Sequence, residues 1–265
     1  GYDTYLLLSN PGEAGIEAQV SYQKESGEVV EHLCAIAPHS RHTIAVDGIP
    51  GMDAAAFSMR VDANGPIVAE RAMYFAAGRK TDGTVSLGVT QPSPDWYFAE
   101  GYTAESFDTY LLLSNPGDDV VHAWVHFFLD DGETYEHGLR IEPHSRYTVM
   151  VDSLPVVGAT SFSMQVHADG PVVAERAMYF TKGYIHGGHA SAGAPRPSHT
   201  WFFAEGCTRQ FFQSYILLGN PGVLDTIVAI DYLLSGTNLR YEYLVKAHSR
   251  MTIPVASQGG LEGTD

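Results

Sequence analysis

The residues of this chain best suited to chemistry are histidines, carboxylates and arginines set among apolar strands. His186-Gly187-Gly188-His189 places two imidazoles on a glycine turn. Two histidines without a third ligand do not complete a zinc site. His122 and His126 are four residues apart on one strand face, roughly 13 Å by strand rise, too far for one ion. Asp130-Asp131 with Glu133 offers the oxygen ligands calcium takes, but acidic turns are ordinarily just solvated. His39-Ser40-Arg41 returns at 144–146 and 248–250 and sets an imidazole beside a hydroxyl. Adjacent strand residues face opposite ways, and no acid repeats with them, so we read a turn that opens a strand. We assign no catalytic, cofactor-binding or metal residue, and the chain reads as non-enzymatic and without a cofactor.

A second set of charges is harder to dismiss. Arg71 falls in the row Ile67, Ala69, Met73, Phe75, and Arg176 in the row Val172, Ala174, Met178, Phe180. Glu100 shares a row with Trp96 and Phe98, and Glu205 with Trp201 and Phe203. Strand alternation aims all four at the apolar side, where a charge is costly unless paired and hydrogen-bonded. They are expected to form structural ion pairs. Depending on where each unit begins, Glu100 pairs with Arg176, or Glu100 pairs with Arg71 and Glu205 with Arg176.

The outer row His122, Trp124, His126, Phe128 is a candidate contact surface. The corresponding rows elsewhere are Glu17, Gln19, Ser21, Gln23 and Ile227, Ala229, Asp231, Leu233. An outward aromatic row suits a sugar ring, a partner protein, or a neighbouring unit that covers it.

These residues are positioned by a repeat. Asp3–Gly12 returns at 108–117 and Val68–Phe75 at 173–180, an offset of 105 residues both times, and a third copy carries Asn220-Pro221-Gly222. A unit of that length can bury its own core. Ile16, Ala18, Val20 and Tyr22 alternate with polar residues as a half-buried strand does, and Val121, Ala123, Val125 and Phe127 repeat the row. Asn64-Gly65 and Asp169-Gly170 are strong two-residue hairpin signals. Asn10, Asn115 and Asn220 read as turn residues whose side chains bond nearby backbone. The pattern predicts an all-β chain of tandem antiparallel β-sandwich domains, immunoglobulin-like, with about seven strands per repeat. Gln91–Pro94 and Ala194–Ser198 read as Pro-rich linkers. They divide the chain into residues 1–94, lacking its first strand, a complete 95–199, and a truncated 200–265.

Composition excludes some partners. Fifteen Lys and Arg stand against 31 Asp and Glu, for a net charge of −16. Nucleic acid and anionic membranes need the opposite surface. No apolar run is long enough to span a bilayer. Cys34 and Cys207 do not repeat with the unit, so this is no disulfide framework. The start at Gly1, partway into a repeat, reads as a piece of a longer protein.

The aromatic-Phe-Ala-Glu-Gly, Leu-Leu-X-Asn-Pro-Gly, His-Ser-Arg and Val-Ala-Glu-Arg-Ala-Met-Tyr-Phe motifs together resemble a tandem repeat of secreted or surface-anchored proteins of actinobacteria and related bacteria. More loosely, the order is similar to bacterial immunoglobulin-like adhesion modules. The resemblance implies an extracellular or cell-surface location and a stalk, spacer, filament or adhesive role, with other protein copies or glycans as partners. A carbohydrate-binding array is the alternative, and part of a secreted hydrolase a third. A first unit lacking a strand exposes a sheet edge, and such edges recruit strands, which leads to an expectation of end-to-end self-association.

Overall fold

A computed structural model describes residues 2–77, 80–104, 106–182 and 185–264. It is all-β, and every strand pairing is antiparallel. The first unit contributes β1 (Tyr2–Asn10), β2 (Ile16–Lys24), β3 (Val29–Ile36), β4 (Ser40–Ala45), β5 (Phe57–Ala63), β6 (Val68–Ala77) and β7 (Lys80–Leu87). The second contributes β8 (Ser93–Phe98), β9 (Phe107–Asn115), β10 (Val121–Leu129), β11 (Thr134–Ile141), β12 (Ser145–Met150), β13 (Phe162–Lys182) and β14 (Ile185–Ala192). The third contributes β15 (Tyr215–Asn220), β16 (Thr226–Leu234), β17 (Thr237–Val245) and β18 (Ser249–Pro254).

The first unit packs a β3-β2-β5 sheet against a β4-β1-β6-β7 sheet. Leu6 and Leu8 from one and Ile16, Ala18, Val20 and Tyr22 from the other close a single core. In the second unit the long β13 belongs to both sheets. Its first half pairs with β10 and β8, and its second half with β9 and β14. Trp96, Leu111, Leu113, Val125, Phe127, Phe162 and Val166 fill the space between them. In the third unit β15 pairs with β18 and β16 with β17. Gly27, Gly132 and Gly236 close the β2–β3, β10–β11 and β16–β17 hairpins at φ of 82°, 87° and 87°, the left-handed geometry glycine adopts without strain.

Asn115 shows how one polar residue holds an Asn-Pro-Gly corner. It is wholly buried. Its Nδ2 donates to the carbonyls of Asp119, Ile141 and Glu142, and its Oδ1 accepts from the amide of Gly117. Asn10 and Asn220 make the same set of bonds in their units. At the next corner His39, His144 and His248 take φ of 48°, 50° and 50°, and Ser40, Ser145 and Ser249 open the strand that follows.

Three expectations are corrected. Asn64-Gly65 and Asp169-Gly170 make no hairpin, because β5 and β6 pair with different strands. The chain instead crosses from one sheet to the other. Asn64 Oδ1 and Asp169 Oδ1 accept the amides of Glu17 and His122, and a Cβ on Gly170 would stand 2.9 Å from Val121, so the glycine serves close approach. Ser93 and Pro94, read as linker, begin β8. Trp201–Glu205, read as a strand, is irregular and exposed. The equivalent stretch in the second unit is held by β13, and among the described residues no strand lies alongside Trp201–Glu205.

Candidate functional site at the joints between units

Arg176 lies on the inner side of β13 with 9 % of its side chain exposed, and its Nη2 sits 2.9 Å from Glu100 Oε2. Nη1 donates to the Glu100 carbonyl. Glu100 follows β8, so pairing of β8 with β13 is what delivers the carboxylate. Burial lowers the pKa of Arg176, and Glu100 works against that shift. His189 on β14 stands 3.6 Å from Glu100. Both its ring nitrogens are buried without a hydrogen bond. Burial first, then the charge of Arg176, hold its pKa below the usual imidazole range.

Arg71 finds a different acid. Its Nη1 is 2.8 Å from Glu175 Oε2 on the outer side of β13, in the second unit. Its Nη2 donates to Ser86, as Arg176 does to Ser191. Glu205 is exposed and forms no ion pair among the described residues.

Arg71–Glu175 is one part of a joint between the first two units. Arg146 faces Glu25 of the β2–β3 hairpin at 3.8 Å, and Thr148 donates to the same carboxylate at 2.7 Å. Ser114 donates to Ser58 at 2.8 Å. On the other side, β7 lies against β14: the amides of Gly188 and Ala190 donate to Asp82 and Thr84. Phe75 packs edge-on to Tyr179 at 5.1 Å.

The joint recurs between the second and third units. Arg250, with 3 % of its side chain exposed, faces Asp130 of the β10–β11 hairpin at 3.3 Å. Its Nη2 donates to Thr252, as Arg146 does to Thr148. Gly219, at the place of Ser114, packs on Ser163, at the place of Ser58. Phe128 stacks on His248 at 5.5 Å. Arg41, the counterpart of Arg146 and Arg250, is exposed. Sequence reading missed these joints: the acids that meet Arg146 and Arg250 sit at hairpin tips far away in the chain, at Glu25 and Asp130, and the third copy has Ser235 at that place.

The candidate surface on β10 divides. Phe128 is 5 % exposed and covered by the third unit, whereas Trp124 is 37 % exposed. Trp124 stacks on His167 at 6.4 Å and 27°. Gly138 lies opposite it on β11. His122, His126 and His167 each pair with a carboxylate: Asp169, Glu136 and Asp95 respectively. Cys34 and Cys207 are free thiols. His186 bonds Thr181. Among the described residues no three His, Cys, Asp or Glu side chains gather as a metal site would require, and no helix is long and apolar enough to cross a membrane.

No family model and no curated protein sequence matches the chain. Among solved structures, the chain is similar to Thermotoga maritima protein 1070, with 18 % identity and a TM-score of 0.37 over 39 % of this chain and 94 % of that one. It is also similar to the Anabaena sensory rhodopsin transducer, with 20 % identity and a TM-score of 0.29 over 34 % of this chain and 91 % of that one.

Proposed function

We propose that this chain is a non-enzymatic structural or adhesive segment of a bacterial extracellular or surface protein, in which tandem sandwiches lock together as a stalk, spacer or filament. One observation carries the reading: the same joint of arginine, hairpin-tip acid and threonine forms twice, at Arg146–Glu25 and at Arg250–Asp130. A ligand site has no need to recur at every boundary, whereas a coupling between beads must.

The reading expects the units to tumble as one body. Nitrogen-15 relaxation should give one rotational correlation time for amides of β2, β10 and β16. Replacing Arg250 with alanine should cost about 1 kcal/mol, because Asp130 is half exposed and its loss of a partner is softened by water. The same change should give the third unit faster, independent tumbling. Three separate correlation times in the unaltered chain would remove the structural reading.

Trp124 supports a second reading, glycan binding. Its indole is partly exposed, braced by His167, and faced by a glycine that leaves room beside the ring. Trp124→Ala is expected to abolish retention on a glycan array while changing stability by no more than about 0.5 kcal/mol. If neither the chain nor the variant binds any glycan, this second reading fails.

A further inference from the structure

One face of the second unit carries side chains that the fold does not require. On the outer side of β10, Trp124 stands opposite Gly138 of β11 and His167 of β13, and His167 stands opposite Asp95 of β8. The first unit has Gln19, Leu33 and Asp62 at the places of Trp124, Gly138 and His167. The third has Ala229 and Glu242 at the first two. A constraint of the fold recurs with the fold, and this row does not. All four strands of the sheet are in place, so the face is bounded by the unit's own elements.

The row is arranged to seat an indole. A Cβ on Gly138 would lie 3.6 Å from Trp124 Cδ1 and 3.7 Å from Nε1, so the ring rests against the glycine, where the branches of a larger side chain would displace it. On the other side the imidazole of His167 runs nearly parallel to the indole. Asp95 Oδ1 fixes that imidazole through Nδ1 at 2.9 Å. Two residues along, His126 Nδ1 faces Glu136 at 3.3 Å, and Gln165 donates to the Tyr97 hydroxyl at 3.3 Å. With Nδ1 turned to a carboxylate, each neutral imidazole offers Nε2 as an acceptor. An apolar plate is therefore bordered by carboxylate, imidazole and amide groups. A pyranose has the matching division, an apolar face of C–H groups and a rim of hydroxyls that both donate and accept.

Two features narrow the ligand. The face is the outer side of a four-stranded sheet, about 14 Å across by strand spacing, and not a cleft. Small ligands bind in concave sites that enclose most of their surface. A free sugar or a chain end gains little here, whereas a chain that runs on across the face gains at each ring. Charge is the second feature. The two rows carry Asp95 and Glu136 and no Lys or Arg, and Arg140, opposite His122, is paired with Glu142. Carboxylates so placed repel acidic sugars. We propose that this face binds the interior of an uncharged polysaccharide, with one pyranose stacked on Trp124 and hydroxyls of the chain bonded to Asp95, Glu136 and the two imidazoles.

This inference rests on the glycan-binding reading above and specifies its ligand. Affinity electrophoresis of the full chain tests it, with hydroxyethyl cellulose, galactomannan and dextran as neutral polymers and polygalacturonate as an acidic one. The expected result is retardation by at least one neutral polymer and none by polygalacturonate. Trp124→Gln and Gly138→Leu install the residues that the first unit carries at the same places, and thermal unfolding verifies that the fold is kept. Each should abolish the retardation, a loss of about thirtyfold or more in affinity, as removal of a central aromatic anchor gives. No retardation by any neutral polymer would overturn the proposal, and so would retardation that both variants leave unchanged or that polygalacturonate matches. Retention of short or acidic oligosaccharides on the glycan array through Trp124, with no neutral polymer bound, would sink this inference and leave the glycan reading standing. No retention in either assay removes both.

Discussion

Trp96→Ala is expected to destabilise the second sandwich by about 4 kcal/mol, within the range for deleting a fully buried tryptophan. The side chain is 1 % exposed, and its Nε1 donates to the carbonyls of Ser93 at 3.1 Å and Val172 at 2.9 Å. Alanine removes the ring, opens a cavity against Val166 and Val172, and leaves both carbonyls without their donor. It also loosens β8, whose other apolar anchor is Phe98. Trp96→Phe should cost about half as much, since it fills most of the space but donates nothing. Denaturant unfolding followed by circular dichroism reads both, as a lower midpoint at unchanged slope. A loss below about 1 kcal/mol for the alanine variant would show that β8 is dispensable to the sheet, contrary to its place in the core.

The second large effect belongs to Glu100. Its removal leaves the Arg176 guanidinium, 9 % exposed, with a serine hydroxyl and a backbone carbonyl but no counter-charge. Breaking a buried pair from one side costs about 3 kcal/mol or more, and Glu100→Ala is expected to cost that much. The double variant Glu100→Leu with Arg176→Met should recover most of the loss, because an apolar pair of similar volume avoids desolvating two charges. A double-mutant cycle by denaturant unfolding measures the coupling. Additive losses would show that the two side chains do not act as a pair. Glu175→Ala makes an informative contrast. It leaves Arg71 at a joint, not inside a sandwich, so its cost falls on the coupling between units.

Much of this was legible in local pattern. Ile16, Ala18, Val20 and Tyr22 face a core because every second residue of a strand faces one way. The placement of Arg176 followed from the same rule, since a charge in an apolar row must be answered by another charge. Asn115 was legible as a turn residue, although its threefold bonding to carbonyls as distant as Ile141 and Glu142 was not. Asn64-Gly65 misled because a dipeptide reports local backbone preference, whereas the partner of the following strand is a long-range choice. The chain could turn back on β5 or cross to the other sheet, and in crossing it packs Ile67 and Ala69 against the first core.

The sequence by itself determined most of the strands, their inner faces, the 105-residue period and the need to pair the buried Arg176, because alternation and charge burial act within a few residues. Only the tertiary structure decided which acid meets which arginine, and that Trp96 is sheltered while Trp201 is bare. It also decided that Phe128 is covered and Trp124 left open. Each of these depends on which strand or unit lies alongside, and the 105-residue spacing brings the same motif to neighbours that are not the same. The physical reason is that an isolated strand leaves its backbone hydrogen bonds and its apolar face uncovered, and what completes it comes from elsewhere in the chain.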